Sequence, residues 1–221
     1  MPPGYAWINA RMTSDKNSIA ERLVDYTNAL DDHMKQFANA PVQSVAFGTT
    51  GASYLIGRER EDQMIAAFQQ RYGIPLVMAA TAICAALKHL GATRIGLVSP
   101  YPPDLTDKSI EYWQSRDLDV ITVSSAYNDT GAFHPIYALT GSPVSDALEP
   151  LLDRDDLDAI LLLGTGMPTV YPLKAALGRT SVPMMSCMLA LVWASVAAID
   201  PDQDTPAALQ TWLGGEHWRA D

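Results

Sequence analysis

Short apolar runs alternate along this chain with longer stretches in which apolar residues recur every three or four positions. Such runs are typical of buried strands, and the longer spacing is typical of one face of a helix. The runs predict strands at residues 6–10, 45–47, 75–78, 94–99, 120–123, 159–163 and 183–185. The helical spacing predicts helices over residues 17–37, 53–72, 81–90, 105–116, 169–177 and 189–199, and another opened by Ser142 and Pro143.

This alternation predicts an α/β fold, because consecutive strands joined through helices pair in parallel and are covered by those helices. The halves of the chain are also related. The matching segments are residues 5–11 with 119–125, 45–53 with 161–169, and 73–77 with 181–185. The strand at 94–99 has no counterpart ahead of Tyr5. We therefore expect two pseudo-symmetric lobes, each a parallel sheet flanked by helices, with the first lobe lacking its opening strand.

The first lobe is expected to span residues 1–90, with part of the tail 200–221 packing back on it. The second lobe is expected to span residues 91–199, and a functional cleft would lie between them. A sheet edge exposed by the missing strand needs cover, which leaves a homo-oligomer open.

Composition narrows the choice of partners. The 221 residues are 48% hydrophobic and 18% charged, and 15 basic against 25 acidic residues give a net charge of −10. Such a charge opposes binding to nucleic acid or to anionic lipid. Residues 182–199 carry no charged side chain and are nearly long enough to cross a membrane. Pro183 and the polar Ser186 and Ser195 favour a buried strand and a buried helix instead.

The two cysteines, Cys84 and Cys187, lie far apart and outside any metal-binding spacing. They indicate neither a disulfide framework nor a metal site, and a reducing cytoplasm is the expected location. No metal and no cofactor is expected.

Candidate chemistry gathers in three turns at predicted strand ends, residues 48–53, 100–104 and 164–169. Ligands of parallel sheets bind beyond the carboxyl ends of the strands, where helix N-terminal amides attract anions. The turns supply backbone amides, including those at Gly51, Gly164 and Gly166, and hydroxyl groups in place of charged side chains. The hydroxyl donors are Thr49, Thr50, Ser53, Tyr101 and Thr165. The set predicts a small-carboxylate site suited to stabilising an enediolate.

Each candidate also has a purely structural interpretation. A Gly-Thr turn is often a helix cap, Tyr101 between prolines can be a packing aromatic, and Asp104 is expected to cap the next helix. Both cysteines can be buried core thiols. His134 lies in the long loop 124–141, which has the length of a lid.

The segments 47–53, 91–101 and 159–166 resemble the aspartate/glutamate racemase superfamily, and within it the branch of arylmalonate decarboxylases and maleate cis-trans isomerases. The resemblance runs from Gly4 to about Ile199. It implies two α/β lobes, an active site in the cleft between them, and chemistry that needs no cofactor or metal. It also implies that Thr50 and Tyr101 hold a substrate carboxylate, and that Gly51 replaces a hydroxyl donor.

The chain departs from the family pattern at both reactive positions. Isomerases and racemases of the family carry cysteine in each Gly-Thr turn, and the decarboxylases carry it in the second; here Thr49 and Gly164 stand there. A threonine hydroxyl is too weak an acid or base for racemisation at neutral pH. Decarboxylation needs only one proton donor, and Tyr101, Cys187 or water can supply that proton.

Two hypotheses follow from the sequence. One is a cofactor-independent lyase or isomerase acting at the α-carbon of a small carboxylate or dicarboxylate, with Tyr101, Thr49 or Cys187 in catalytic roles. The other is a non-catalytic or regulatory carboxylate-binding protein on the same fold.

Overall fold

The computed structural model describes residues 4–129, 131–132 and 134–218, and within them strands and helices alternate. The strands are β1 (Val45–Phe47), β2 (Leu76–Met78), β3 (Arg94–Ser99), β4 (Asp119–Ser125), β5 (Ala159–Leu162) and β6 (Met184–Ser186). The helices are α1 (Ile19–Asn28), α2 (Leu30–Met34), α3 (Thr50–Tyr72), α4 (Ala79–Leu90), α5 (Pro103–Ser115), α6 (Gly141–Leu152), α7 (Val170–Ala176), α8 (Cys187–Ala197) and α9 (Pro206–Leu213). The predicted α/β class is confirmed.

The strands form two parallel sheets. One contains β1 and β2, and the other has the order β4-β3-β5-β6. Parallel strands end at a common edge of their sheet, so the turns that follow β3, β5 and β6 lie at one edge of the larger sheet. A hydrogen bond from Thr165 to the carbonyl of Gly48 brings the turn after β1 to the same place. This arrangement positions the candidate residues.

The strand predicted at residues 6–10 is wrong. These residues are irregular, and Trp7 and Ile8 leave 40% and 52% of their surfaces exposed. A cavity separates this segment from β1. An alternating sequence forms a strand only where a neighbouring strand accepts its backbone hydrogen bonds, and among the described residues none lies beside it.

Several helices begin earlier than the apolar spacing indicates. Helix α3 begins at Thr50 and α8 at Cys187, where the Ser186 side chain accepts the N–H of Leu189 and caps the helix. The predicted role of Asp104 as a cap is wrong, because α5 begins at Pro103 and Asp104 lies inside its first turn.

The stretch predicted as one helix over residues 17–37 is divided. Helix α1 is opened by a capping box between Ser18 and Glu21 and ends at Asn28, with Ala29 as its C-cap; α2 and a short 3-10 helix follow.

The principal hydrophobic core is common to both halves of the chain. Helix α8 packs against α4, and its Trp193 is 1% exposed. Helix α9 contacts both α4 and α8, and the Trp193 indole donates to the carbonyl of Gln203 at 3.1 Å. The helices that close the chain therefore cover the helix that follows β2.

Two properties concern the described ranges as a whole. No helix within them is long and apolar enough to cross a membrane. Nor do they contain a group of three or more histidine, cysteine or acidic side chains arranged to hold a metal ion.

Candidate active site

Three predicted residues meet where the turns after β1 and β3 approach the start of α8. The hydroxyls of Thr50 and Tyr101 share a hydrogen bond of 2.8 Å, and Sγ of Cys187 lies 3.8 Å from Oγ1 of Thr50. Thr50 is fully buried and Cys187 is 1% exposed. We call these three residues, with the backbone of Gly164 that contacts Tyr101 and Cys187, the hydroxyl-thiol cluster.

Two hydrogen bonds hold the backbone of Tyr101 in the turn after β3. The N–H of Tyr101 donates to Oγ of Ser99 at 3.3 Å, and the carbonyl of Tyr101 accepts the Thr106 hydroxyl at 3.2 Å. Its ring meets that of Tyr54 edge-on, with centroids 6.0 Å apart. Burial raises the pKa of the Tyr101 hydroxyl far above its ordinary value, so at neutral pH this group is a neutral hydrogen-bond donor.

The thiol of Cys187 is held in its protonated form. Burial raises its pKa to about 12, although hydrogen bonds from Thr50 and from the Gly164 backbone act in the opposite direction. Its Sγ lies 3.4 Å from the carbonyl oxygen of Leu162. A thiol in this state can give up a proton to a strong base, but it is neither a thiolate nucleophile nor a general base.

The turn after β1 contains a hydroxyl group and backbone amides that bind no side chain. Thr49 is the N-cap of α3, but its side chain makes no capping bond, and among the described residues its buried Oγ1 has no hydrogen-bond partner. The first amides of α3 therefore have no capping side chain. Uncapped amides and a spare hydroxyl are suited to binding a carboxylate.

The hydroxyl of Thr165 joins the two Gly-Thr turns to each other. It donates to the carbonyl of Gly48 at 2.7 Å, and this bond occupies the side chain. A contribution of Thr165 to ligand binding would have to come from its backbone. The turn after β5 is nevertheless brought within hydrogen-bond distance of the turn after β1, as a common site requires.

Gly51 and Ser53 face protein groups. A Cβ at Gly51 would lie 2.9 Å from Cδ1 of Leu23, so α1 packs where a side chain would otherwise stand. Ser53 is fully buried, and its hydroxyl donates to the Glu61 carboxylate at 2.6 Å. These contacts direct neither a Cβ at Gly51 nor the Ser53 hydroxyl to the hydroxyl-thiol cluster.

The long loop after β4 covers the second Gly-Thr turn. Its 3-10 helix, Pro135–Ala138, places Ile136 against Gly164 and Tyr137 against Gly166. A Cβ at Gly164 would come within 2.6 Å of both Cδ1 of Ile136 and Cγ of Pro100. The space for a cysteine side chain at position 164 is thus taken by apolar groups. His134, in the same loop, packs its ring on Tyr137.

Gly164→Ala is expected to destabilise the protein by more than Gly178→Ala, and by about 2 kcal/mol or more in total. Both glycines have nearly the same left-handed backbone, with φ of +79° and +78°, which costs a residue with a Cβ about 1–2 kcal/mol. Only Gly164 also meets close neighbours, whereas nothing lies within 4 Å of a Cβ at Gly178. Urea unfolding of the two variants measures the difference, and equal losses would contradict the close approach of Ile136 and Pro100.

The sequence pattern gave no indication of a buried ionic network behind the first turn of α3. Glu61 is fully buried, and it accepts Ser53, the Tyr112 hydroxyl at 2.5 Å and Arg116 Nη2 at 2.7 Å. Residues 58–62 form a charged run that is typical of a solvated surface. The available signal was Gly57, a glycine inside the helical pattern, which has a φ of +76° and kinks α3.

A cavity of about 1020 Å³ reaches Gly48 in the first Gly-Thr turn and Ser186 next to Cys187. It is bounded by residues 4–12, by residues 40–48 that include β1, and by α8, and neither Thr50 nor Tyr101 nor Cys187 lines it. Thr50 and Cys187 are buried, whereas Tyr101 is partly exposed.

Comparison with known proteins finds arylmalonate decarboxylases among the relatives of this chain. The family model described as arylmalonate decarboxylase matches residues 16–211. The arylmalonate decarboxylase of Bordetella bronchiseptica is 24% identical over 165 residues, which cover 75% of this chain and 68% of that protein. The resemblance drawn from the sequence is confirmed.

Solved structures show the same fold. The maleate isomerase of Pseudomonas putida S16 has a TM-score of 0.74 and 20% identity, over 84% of this chain and 76% of that one. An arylmalonate decarboxylase structure has a TM-score of 0.65 and 21% identity, over 82% and 76%. A Nocardia farcinica maleate cis-trans isomerase, solved with a covalently bound succinylcysteine intermediate, has a TM-score of 0.74 and 18% identity, over 87% and 79%.

Proposed function

We propose a function for this chain on one premise: it belongs to the arylmalonate decarboxylase family. We infer that it is a cofactor-independent lyase that removes CO₂ from a small malonate-type dicarboxylate. The observation that carries this proposal is the hydroxyl-thiol cluster, in which two neutral hydroxyl donors and a protonated thiol meet within hydrogen-bond distance. Decarboxylation needs donors for a developing enediolate and one proton, and this cluster holds both.

The retained carboxylate would bind to the hydroxyls of Thr50 and Tyr101, in place of the hydrogen bond that they now share, and to the first amides of α3. As the bond between the α-carbon and the departing carboxylate breaks, its electron pair passes into an enediolate on the retained carboxylate. Fixed neutral donors stabilise that charge without reorganising during the reaction.

The departing carboxylate would face the apolar side, where Pro100 and Ile136 pack on Gly164. A charged group deprived of water there gains by leaving as neutral CO₂. The Cys187 thiol then gives its proton to the α-carbon, and the resulting thiolate recovers a proton from water. The overall change consumes one proton and releases one CO₂.

Racemisation and thiolate-dependent isomerisation fit the site less well. Both need a base or a nucleophile, and the raised pKa of Cys187 keeps it a thiol at neutral pH. Thr49 has no base beside it in the described contacts. Among these reactions, decarboxylation alone requires neither a base nor a nucleophile from the site.

A non-catalytic carboxylate-binding protein is the second candidate. It is favoured by the packing of Ile136 and Pro100, which occupy the space beside Gly164. In that case a diacid would bind to Thr50 and Tyr101, and no carbon–carbon bond would break.

The two functions are separated by incubating the full chain with phenylmalonate, maleate, aspartate and malate while following CO₂ release and isomer conversion. We expect CO₂ from phenylmalonate, with turnover abolished in Tyr101→Phe and kept in Tyr171→Phe, whose tyrosine is 68% exposed. Thermal stabilisation by a diacid without turnover would establish the binding function instead. Turnover of maleate alone would contradict the lyase assignment.

A further inference from the structure

A further polar side chain, that of Tyr54, stands beside the hydroxyl-thiol cluster. Tyr54 follows Thr50 by one turn of α3, so both side chains lie on the same face of this helix. Only 4% of Tyr54 is exposed, and among the described residues its buried hydroxyl oxygen has no hydrogen-bond partner. The hydrogen-bonding capacity of this hydroxyl is therefore unused in the described part of the chain.

Neighbouring aromatic rings hold the ring of Tyr54 in one orientation. Tyr101 meets it edge-on with centroids 6.0 Å apart, Trp113 meets it edge-on at 5.6 Å, and Tyr112 is tilted against it at 5.4 Å. Aromatic pairs of this kind have specific preferred geometries. The hydroxyl lies on the long axis of the ring, so it is fixed in position together with the ring.

The hydroxyl of Tyr54 lies close to all three side chains of the cluster. Burial raises its pKa well above the ordinary value, Tyr101 and Cys187 raise that pKa further, and Thr50 lowers it. Such effects act over short distances. Thr50 makes its 2.8 Å hydrogen bond to Tyr101 rather than to Tyr54. At neutral pH Tyr54 is therefore a neutral donor at the cluster, and its acceptor is not among the described residues.

A carboxylate is the kind of acceptor that fits this donor. Its two oxygens offer about four lone-pair sites, and they accept several hydrogen bonds at once. In the proposed function the retained carboxylate binds to the hydroxyls of Thr50 and Tyr101, and Tyr54 lies beside both. An apolar ligand would offer the Tyr54 hydroxyl no acceptor, so this set of donors favours an anionic oxygen ligand.

An interpretation of Tyr54 as a packing residue explains its ring but not its hydroxyl. A buried hydroxyl without a partner destabilises a folded protein, and phenylalanine would fill nearly the same space without that penalty. The hydroxyl is thus unfavourable in the free protein, and a bound acceptor would relieve the penalty.

We propose that Tyr54 is a third hydroxyl donor to the retained carboxylate, in a set completed by Thr50 and Tyr101. This inference rests on the proposed function, because it concerns the ligand of that function. The ring of Tyr54 is already in place, and only the bond between Thr50 and Tyr101 is exchanged for bonds to the ligand. As the carboxylate becomes an enediolate its negative charge increases, so the bond from Tyr54 strengthens during the reaction.

The test separates binding of the retained carboxylate from turnover. Phenylacetate, the product of phenylmalonate decarboxylation, carries that carboxylate alone, and calorimetry with the full chain measures its affinity. For Tyr54→Phe we expect at least a tenfold loss of phenylacetate affinity. With phenylmalonate we expect kcat to fall about 10²-fold, which is the usual effect of removing one donor to a developing oxyanion.

The thermal stability of Tyr54→Phe distinguishes a binding role from a structural one. Its melting temperature should equal or exceed that of the unaltered chain, because no hydrogen bond of the free protein is lost. Tyr112→Phe is the matched control, since Tyr112 packs on the same ring and donates its hydroxyl to Glu61. We expect the opposite pattern in this control, with a lower melting temperature and unchanged phenylacetate affinity and kcat.

Unchanged phenylacetate affinity in Tyr54→Phe would overturn the proposal, and so would a failure of the unaltered chain to bind phenylacetate. A lowered melting temperature with unaltered kinetics would also overturn it, by showing that the hydroxyl is bonded within the free protein. If Tyr54→Phe fails to fold, a crystal structure of the unaltered chain with phenylacetate decides. Oη of Tyr54 should then lie about 2.5–3.0 Å from a carboxylate oxygen, and a longer separation would contradict the proposal.

The proposed function fails by a different result. If the unaltered chain binds phenylacetate through Tyr54 but releases no CO₂ from phenylmalonate, the role of Tyr54 stands and the lyase activity is excluded. If CO₂ is released equally fast by the unaltered chain and by Tyr54→Phe, the lyase stands and the role of Tyr54 is excluded.

Discussion

Cys187→Ser is expected to slow decarboxylation of phenylmalonate by about 10²–10⁴-fold, which is the usual contribution of a positioned general acid. A serine hydroxyl is a much weaker acid than the thiol that lies 3.8 Å from Thr50. KM should change little, because the proposed carboxylate contacts come from Thr50 and Tyr101. Steady-state kinetics on the variant measure both quantities.

The matched control is Cys84→Ser, because Cys84 is the second free thiol, lies in α4 and belongs to none of the proposed contacts. Its rate should be unchanged. An unaltered rate in Cys187→Ser would transfer the proton-donor role to Tyr101 or to water.

The pH profile offers a separate check on the same thiol. Burial raises the pKa of Cys187 to about 12 in the folded protein, so the proton-donating form persists far above neutral pH. The rate should therefore stay level from about pH 7 to about pH 10. A fall near the ordinary thiol pKa of about 8.5 would show a thiol that is not held in this environment.

Arg116→Met is expected to cost about 3–5 kcal/mol of unfolding free energy, since it leaves the Glu61 carboxylate buried without its cationic partner. Glu61 is fully buried and only 12% of the Arg116 side chain is exposed, so water cannot replace the lost contact. Urea unfolding with a single transition model measures the loss. Adding Glu61→Gln to Arg116→Met should recover part of it by removing the charge.

An exposed ion pair serves as the control. Arg179 and Glu149 leave 49% and 58% of their side chains exposed, and pairs of that kind contribute about 0–1 kcal/mol. Arg179→Met should therefore be nearly neutral. A similar loss in both variants would show that burial of Glu61 contributes little.

The parts of the site that the sequence predicted are those repeated in the two halves. An apolar strand is followed by Gly48-Thr49 and again by Gly164-Thr165, and each pair therefore lies at the end of a parallel strand. Tyr101 was predicted because it follows the strand beside them. Short-range pattern and parallel topology suffice for these positions, because each depends only on its own strand.

The parts that the sequence missed depend on contacts between distant segments. The burial of Glu61 depends on its contacts with Tyr112 in α5 and with Arg116 just after that helix, and neither is visible in a charged run. The failed strand at residues 6–10 has a suitable sequence but no partner strand. The packing of Ile136 on Gly164 depends on the path of a long loop, for which local pattern carries no information.

The packing of α8 on α4 has a kinetic consequence. About 100 residues separate the end of α4 from the start of α8. At about 5–20 residues per second, a ribosome needs roughly 5–20 s to make that stretch. During this interval the apolar face of α4 that α8 later covers is without its cover. The nascent first half is consequently most exposed to aggregation just before Cys187 and the helix that it begins are synthesised.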